Sequence, residues 1–212
     1  MSDTTSPQKK ATYRNNLITP TGRVVYPNLA APDTQGKFAK GKYKLTLILD
    51  KSAIGPLVKA CNECAAEAFP GVDQKLVMMP FRDGSQKSGS KHPERFAGKV
   101  YITPTTRKQP ITIDLAKQAL PPLEVYGGCH ARCIVSAASY ESTEKIRDSA
   151  TGQLKMETSY GVTFYLEKVQ KVKDDERWGG QQADFPEGED DAAQTDAYNQ
   201  AAKNVTELDA DV

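Results

Sequence analysis

The stretch GKYKLTLILDKSAIGPLVKACNECAAEAF, residues 41–69, changes its hydrophobic period once, and that change decides the fold class. Tyr43, Leu45, Leu47 and Leu49 alternate with Lys42, Lys44, Thr46 and Ile48. A period of two predicts a strand with one apolar face towards a core and one largely polar, basic face away from it. From Ser52 onward, Ile54, Leu57, Val58, Cys61, Cys64, Ala65 and Ala68 recur at helical spacing. Ser52 is placed to cap that helix, Pro56 is tolerated in its first turn, and Phe69-Pro70-Gly71 ends it.

On either side of this stretch the pattern is strand-like. Residues 21–26 read as a strand closed by Pro27 and Asn28, and a Gly- and Lys-rich hairpin at 36–41 leads into the stretch above. Residues 98–103 place Lys99, Tyr101 and Thr103 on one face and Val100 and Ile102 on the other. A short strand is expected at 111–115. After Pro121-Pro122, two long candidates, 125–140 and 160–172, are joined by a charged, Gly-containing connection and read as a long hairpin. Five or so strands with one main helix, without recurring strand-helix alternation, predict a mainly β protein built as a small five-stranded antiparallel barrel. No internal repeat is visible.

Charge divides the chain at Lys173. Residues 1–173 carry 26 Lys and Arg against 15 Asp and Glu, whereas residues 174–212 carry 2 against 12, a contrast hidden in the formal net charge of +1. We therefore expect a flexible lead-in at 1–12, one folded domain at 13–173 and an acidic, largely disordered tail at 174–212. A basic body calls for an anionic partner. The first residues lack the apolar stretch of a signal peptide, and no apolar run approaches the roughly 18 residues that span a bilayer, so a soluble, cytoplasmic protein without a membrane partner is expected. Cys61, Cys64, Cys129 and Cys133 read as reduced thiols.

Basic and aromatic side chains on the strand faces that apolar residues leave free are the strongest functional pattern. Phosphates attract Lys and Arg, and unstacked bases attract flat rings, at roughly 1–3 kcal/mol per stacked base. Lys42, Lys44, Lys99, Tyr101, Arg132 and Tyr165 are the candidates on strands, with Arg23 in the strand at 21–26. Arg82, Lys87, Lys91, Arg107 and Lys108 add charge from loops. For each lysine the alternative is a solvated surface residue, for Tyr43 a core role, and for Arg132 a structural ion pair. In the tail, Asp174, Asp175, Glu176, Glu187, Glu189, Asp190 and Asp191 either solubilise the chain, compete with a polyanion for the basic surface, or hook a partner protein. Residues 192–205 form a short helix in the docked alternative.

Other chemistries find less support. Cys61-x-x-Cys64 and Cys129-His130-x-x-Cys133 have zinc-like spacing, but the cysteines fall on apolar faces and serve equally as small buried hydrophobes. No cofactor or metal is expected. The two histidines, His92 and His130, have no nucleophile motif beside them, and Asp33, Asp50, Asp73, Asp83 and Asp114 are scattered among turns. A non-enzymatic binding protein is the expectation, with a metal-dependent nuclease or a charged scaffolding protein as rivals.

Four stretches in register carry a family likeness: residues 19–29 (TPTGRVVYPNL), 41–48 (GKYKLTLI), 126–132 (YGGCHAR), and 169–174 (VQKVKD) with Gly179-Gly180. From about Thr19 to Phe185 the chain resembles the phage and prophage single-stranded DNA-binding proteins. The resemblance implies an oligonucleotide/oligosaccharide-binding (OB) fold that coats single-stranded DNA without strong sequence preference during phage replication or recombination. It further implies work in the bacterial host cytoplasm and contact between the acidic tail and phage or host replication or recombination proteins. A homo-oligomer is compatible with this. A strand-annealing recombination protein is the nearest alternative. Two features depart from the pattern. Such tails often finish on an aromatic residue, whereas this chain ends Asp209-Ala210-Asp211-Val212, with Phe185 and Tyr198 the nearest substitutes. The helix also follows the second expected strand, earlier than in the usual OB arrangement.

Overall fold

The structure, a computed structural model, describes residues 11–34, 41–87, 92–147 and 154–178. Its elements in chain order are β1 (Tyr13–Ile18), β2 (Gly22–Asn28), β3 (Tyr43–Leu49), helix α1 (Gly55–Ala68), β4 (Val77–Met78), β5 (Arg82–Asp83), β6 (Val100–Ile102), β7 (Thr105–Thr106), β8 (Ile111–Ile113), β9 (His130–Arg147) and β10 (Leu154–Lys173), with short 3-10 turns between them. The described part is mainly β, with one α-helix.

The period switch lies where the sequence places it. Leu45, Leu47 and Leu49 of β3 and Leu57, Ala60, Cys61, Cys64, Ala65 and Ala68 of α1 are all buried. All but Ala60 meet Val135, Ala137, Phe164, Leu166 and Val169 of the long strands in one core. Pro56 sits in the first turn as expected, but Ser52 does not cap. It lies in a 3-10 turn at Lys51–Ala53, and the N-cap position falls to Ile54 without a side-chain bond.

β3 pairs antiparallel with β2, β6 and β7; β2 pairs antiparallel with β9; and β9 pairs antiparallel with β10. β10 in turn pairs parallel with β7, so the ladders from β2 through β3, β7, β10 and β9 return to β2. β1 adds to the free edge of β9, and β5 to β6.

Three expectations need correction. Ten strands make up the described sheet where a five-stranded barrel is expected: β1 lacks an apolar face, and β4, β5 and β7 are two residues long and carry no readable alternation. The sheet is not wholly antiparallel: β4, β7 and β8 each lie parallel to β10. The hairpin is longer than expected, since pairing continues from Tyr140 opposite Gly161 out to Arg147 opposite Leu154. Among the described side chains at 141–145 and 154–159 none is buried, so this polar composition reads as a connection although the backbone at 141–147 and 154–159 is paired. The helix does follow the second strand of the closed path, β3, with β1 an extra strand ahead of it.

Candidate nucleic-acid interface

The face of β3 turned from the core carries Lys44, Thr46 and Ile48. Strand pairing extends each into a row. Arg23, Ile48, Tyr101 and Arg82 stand side by side across β2, β3, β6 and β5. Lys44, Thr105 and Tyr165 do so across β3, β7 and β10. At 3.4 Å per residue the two rows are about 14 Å apart along β3. Between them the Thr46 and Thr103 hydroxyls lie 3.1 Å apart.

At the first row, Val25, Ile48 and Phe96 form a second apolar cluster, with Tyr101 and Trp178 packed on it. The Phe96 and Tyr101 rings meet edge to face at 5.4 Å. The Lys87 ammonium lies 4.5 Å from the Tyr101 ring centre, 4.9 Å from that of Phe96 and 5.9 Å from that of Tyr26. Trp178 is clasped by the guanidinium groups of Arg23 at 4.1 Å and Arg95 at 4.4 Å. Each is a cation over an aromatic face, attracted by the ring quadrupole.

The second row opens into a cavity of about 510 Å³ lined by Lys42, Thr105, Thr106, Arg107, Lys108 and Tyr165. Four residues singled out in the sequence meet here although they come from three distant segments. Other expected residues spend their charge locally. Lys44 pairs with Asp33, and Lys99 with Asp50. Arg132 stands apart from both rows: its Nε donates to Gln170 Oε1 at 2.7 Å, and Gln170 Nε2 donates to the Asp114 carbonyl at 2.8 Å. Lys91, Glu187, Glu189, Asp190 and Asp191 lie outside the described residues.

The first residues of the acidic segment lie on the body. Asp174 accepts from Lys171 Nζ at 2.6 Å and from the Tyr126 hydroxyl at 2.7 Å. Asp175 meets Arg23, and also His130 Nε2 at 3.0 Å. The Trp178 amide donates to the Gly127 carbonyl at 2.6 Å. A Cβ at Gly128 would lie 2.0 Å from the Glu176 carbonyl oxygen, and one at Gly127 2.7 Å from that of Trp178. The Gly127-Gly128 pair thus admits this strap, and the stretches 126–132 and 169–174, far apart in sequence, are in contact through it. The Lys171 and Tyr126 hydrogen bonds hold the Asp174 carboxyl below the usual carboxylate range. The Glu176 amide, and then His130, do so for Asp175.

Tyr26, Arg95, Phe96 and Trp178 were not legible as members of this surface. Tyr26 reads as a strand end, Arg95 as the end of a loop at 83–95 rich in Gly, Ser and Lys with Phe96 just beyond it, and Trp178 as part of a disordered tail. The four cysteines are buried and reduced, with Cys61 and Cys133 pushed up to about 12 by burial. Such thiols act as small hydrophobes. Among the described residues no group of three or more His, Cys, Asp or Glu is gathered to hold a metal. None of the described helices is long and apolar enough to cross a membrane.

One face of the sheet thus brings rings and cations together, the combination that suits unstacked nucleic acid. The family model described as the ssDNA-binding protein of Enterobacter phage Enc34 matches residues 15–200, and the chain belongs to that family. Among solved structures, the single-stranded DNA-binding protein from bacteriophage Enc34 in complex with ssDNA is 21% identical, with 80% of this chain and 89% of that chain covered at a TM-score of 0.50. Gp2.5, a single-stranded DNA-binding protein encoded by bacteriophage T7, is 17% identical, with 82% and 98% covered at a TM-score of 0.46. A search of curated proteins found no match.

Proposed function

We propose that the protein binds single-stranded DNA without strong sequence preference during phage DNA replication or recombination in the host cytoplasm. The closed path of β2, β3, β7, β10 and β9 is, in this reading, an OB-like barrel. The observation that carries the proposal is the face of β3 turned from the core: rings and cations gather at both of its ends, with Thr46 and Ile48 buried between them. Arg23, Arg82, Lys42, Arg107 and Lys108 contact phosphates, and Tyr101 and Tyr165 stack bases. Lys44, Lys99 and Arg132 contribute less: Asp33, Asp50 and Gln170 hold them within the body, whereas the partner of Arg23, Asp175, belongs to the acidic segment that DNA displaces. The relatives' names, which specify single-stranded DNA, support the ligand. No catalytic group is required.

The acidic segment modulates this binding. Asp174, Asp175 and Glu176 with Trp178 sit where a nucleotide would sit: a carboxylate on Arg23 in the place of a phosphate, an indole between two guanidinium groups in the place of a base. Residues 179–212, with Glu187, Glu189, Asp190 and Asp191, add negative charge or recruit replication and recombination proteins. Fluorescence anisotropy with single- and double-stranded oligonucleotides across a salt series tests the central claim. Four phosphate contacts predict a slope of log K against log salt near −3, from about −0.7 per contact on a single strand. Failure to shift any oligonucleotide, or an affinity indifferent to salt, overturns it.

A further inference from the structure

Tyr165 has a neighbour that no strand alternation predicts. Tyr13, on β1, lies across β9 from it, and the two rings stand nearly parallel, 6.4 Å between centres and 27° between planes. Pairing explains how they meet over an intervening strand. Tyr13 is opposite Ala138 and Tyr165 opposite Ser136, so β9 presents only a methyl and a hydroxymethyl group there. Both rings are open to solvent, Tyr13 at 47% and Tyr165 at 42% exposure.

Two large rings left exposed and held parallel forgo burial worth more than most surface side chains. Their surroundings are lopsided in charge. On the β7 side Tyr165 faces the cavity with Lys42, Arg107 and Lys108. On the β9 side the Ser136 hydroxyl donates to Glu167. Phosphate is drawn to the first side and repelled from the second. A nucleotide laid here places its base on the rings and its phosphate over the cavity.

We propose that Tyr13 and Tyr165 form a two-ring stacking platform that makes the protein select single strands over duplex. The inference rests on the DNA-binding reading above. A ring stacks only on a base whose face is exposed; in a duplex both faces are covered by neighbouring pairs. Lys42, Arg107 and Lys108 attract phosphates of either form. The platform therefore supplies the difference between the two affinities, and the cations supply what they share.

The test compares the full-length protein with the Tyr13→Ala/Tyr165→Ala double variant, the Tyr13→Phe/Tyr165→Phe double variant and a Lys42→Ala/Arg107→Ala/Lys108→Ala triple variant, on a single-stranded oligonucleotide and its duplex. Loss of the rings lowers single-strand affinity about tenfold or more, leaves duplex affinity and the salt slope unchanged, and is rescued by phenylalanine. Loss of the three cations weakens both and makes the slope shallower by about 2. Equal losses on both substrates in the alanine variant, or no loss on single strands, overturn the platform while leaving DNA binding intact. A wild-type protein that binds no oligonucleotide overturns the reading beneath it instead. Photocrosslinking of an iodouracil-containing single strand to the wild-type protein reads the same contact without a mutation: adducts on peptides carrying Tyr13 or Tyr165 support it, and adducts confined to other peptides refute it.

Discussion

At the scale of single residues, the strap over Gly127-Gly128 is held by Asp174 and Asp175, each with a depressed carboxyl pKa. A carboxyl that is more acidic when docked stabilises docking above its free value near 4, and that stabilisation disappears as pH falls through the docked value. Trp178 is the chain's one tryptophan, so its emission reports the strap directly. We expect the emission to shift to the red as pH drops below about 4, before far-UV circular dichroism is lost, and the Asp174→Asn/Asp175→Asn variant to show the red-shifted emission already at pH 7. Emission that holds until the whole protein unfolds in acid refutes this. Gly128 explains why the strap fits at all: its φ of 106° lies where side chains are strained, and its missing Cβ leaves room for the Glu176 carbonyl.

At the scale of elements, α1 closes the core against β9, β1 and β10, and Leu57, 2% exposed, anchors its first turns. Leu57→Ala removes buried methyl groups and leaves a cavity, costing about 2–4 kcal/mol in urea unfolding. Because the proposed interface lies on the opposite face of β3, DNA affinity of the folded fraction is expected to stay unchanged; a change in both would place the helix in the binding surface. Much of this level was legible. The alternation at 43–49 and the helical spacing at 54–68 are local signals, set by which side of each element meets the core. The two-residue strands β4, β5 and β7 were not, because alternation needs more residues than they have. β1 escaped notice for another reason: Arg14 reaches over to Glu63 and Glu67 of α1, and Tyr13 and Ile18 stay exposed, so its sequence lacks an apolar face.

At the scale of the whole molecule, the charge contrast across Lys173 acts over distances where salt screens it. Removal of residues 179–212, which leaves the strap in place, tightens single-strand binding several-fold at low salt and has little effect near 1 M, where the Debye length is about 3 Å. Unchanged affinity at low salt counts against modulation by the tail. The same scale shows why a list of cations is not yet a site. Of the expected residues, Lys42, Arg107, Lys108 and Tyr165 converge on one cavity, and Arg23, Tyr101 and Arg82 on one row, whereas Lys99 and Arg132 fall outside both groups.

The sequence by itself determined a mainly β chain with one helix, the strand of alternating lysines and leucines at its centre, and a basic body followed by an acidic end. Those are properties of composition and of period along the chain, which need no knowledge of what lies across space. Only the tertiary structure decided that β10 lies parallel to three short strands, that Tyr13 stands beside Tyr165, and that Trp178 sits between Arg23 and Arg95. Contacts of that kind join residues tens to more than a hundred and fifty positions apart, and they depend on register and loop path, which leave no trace in local spacing.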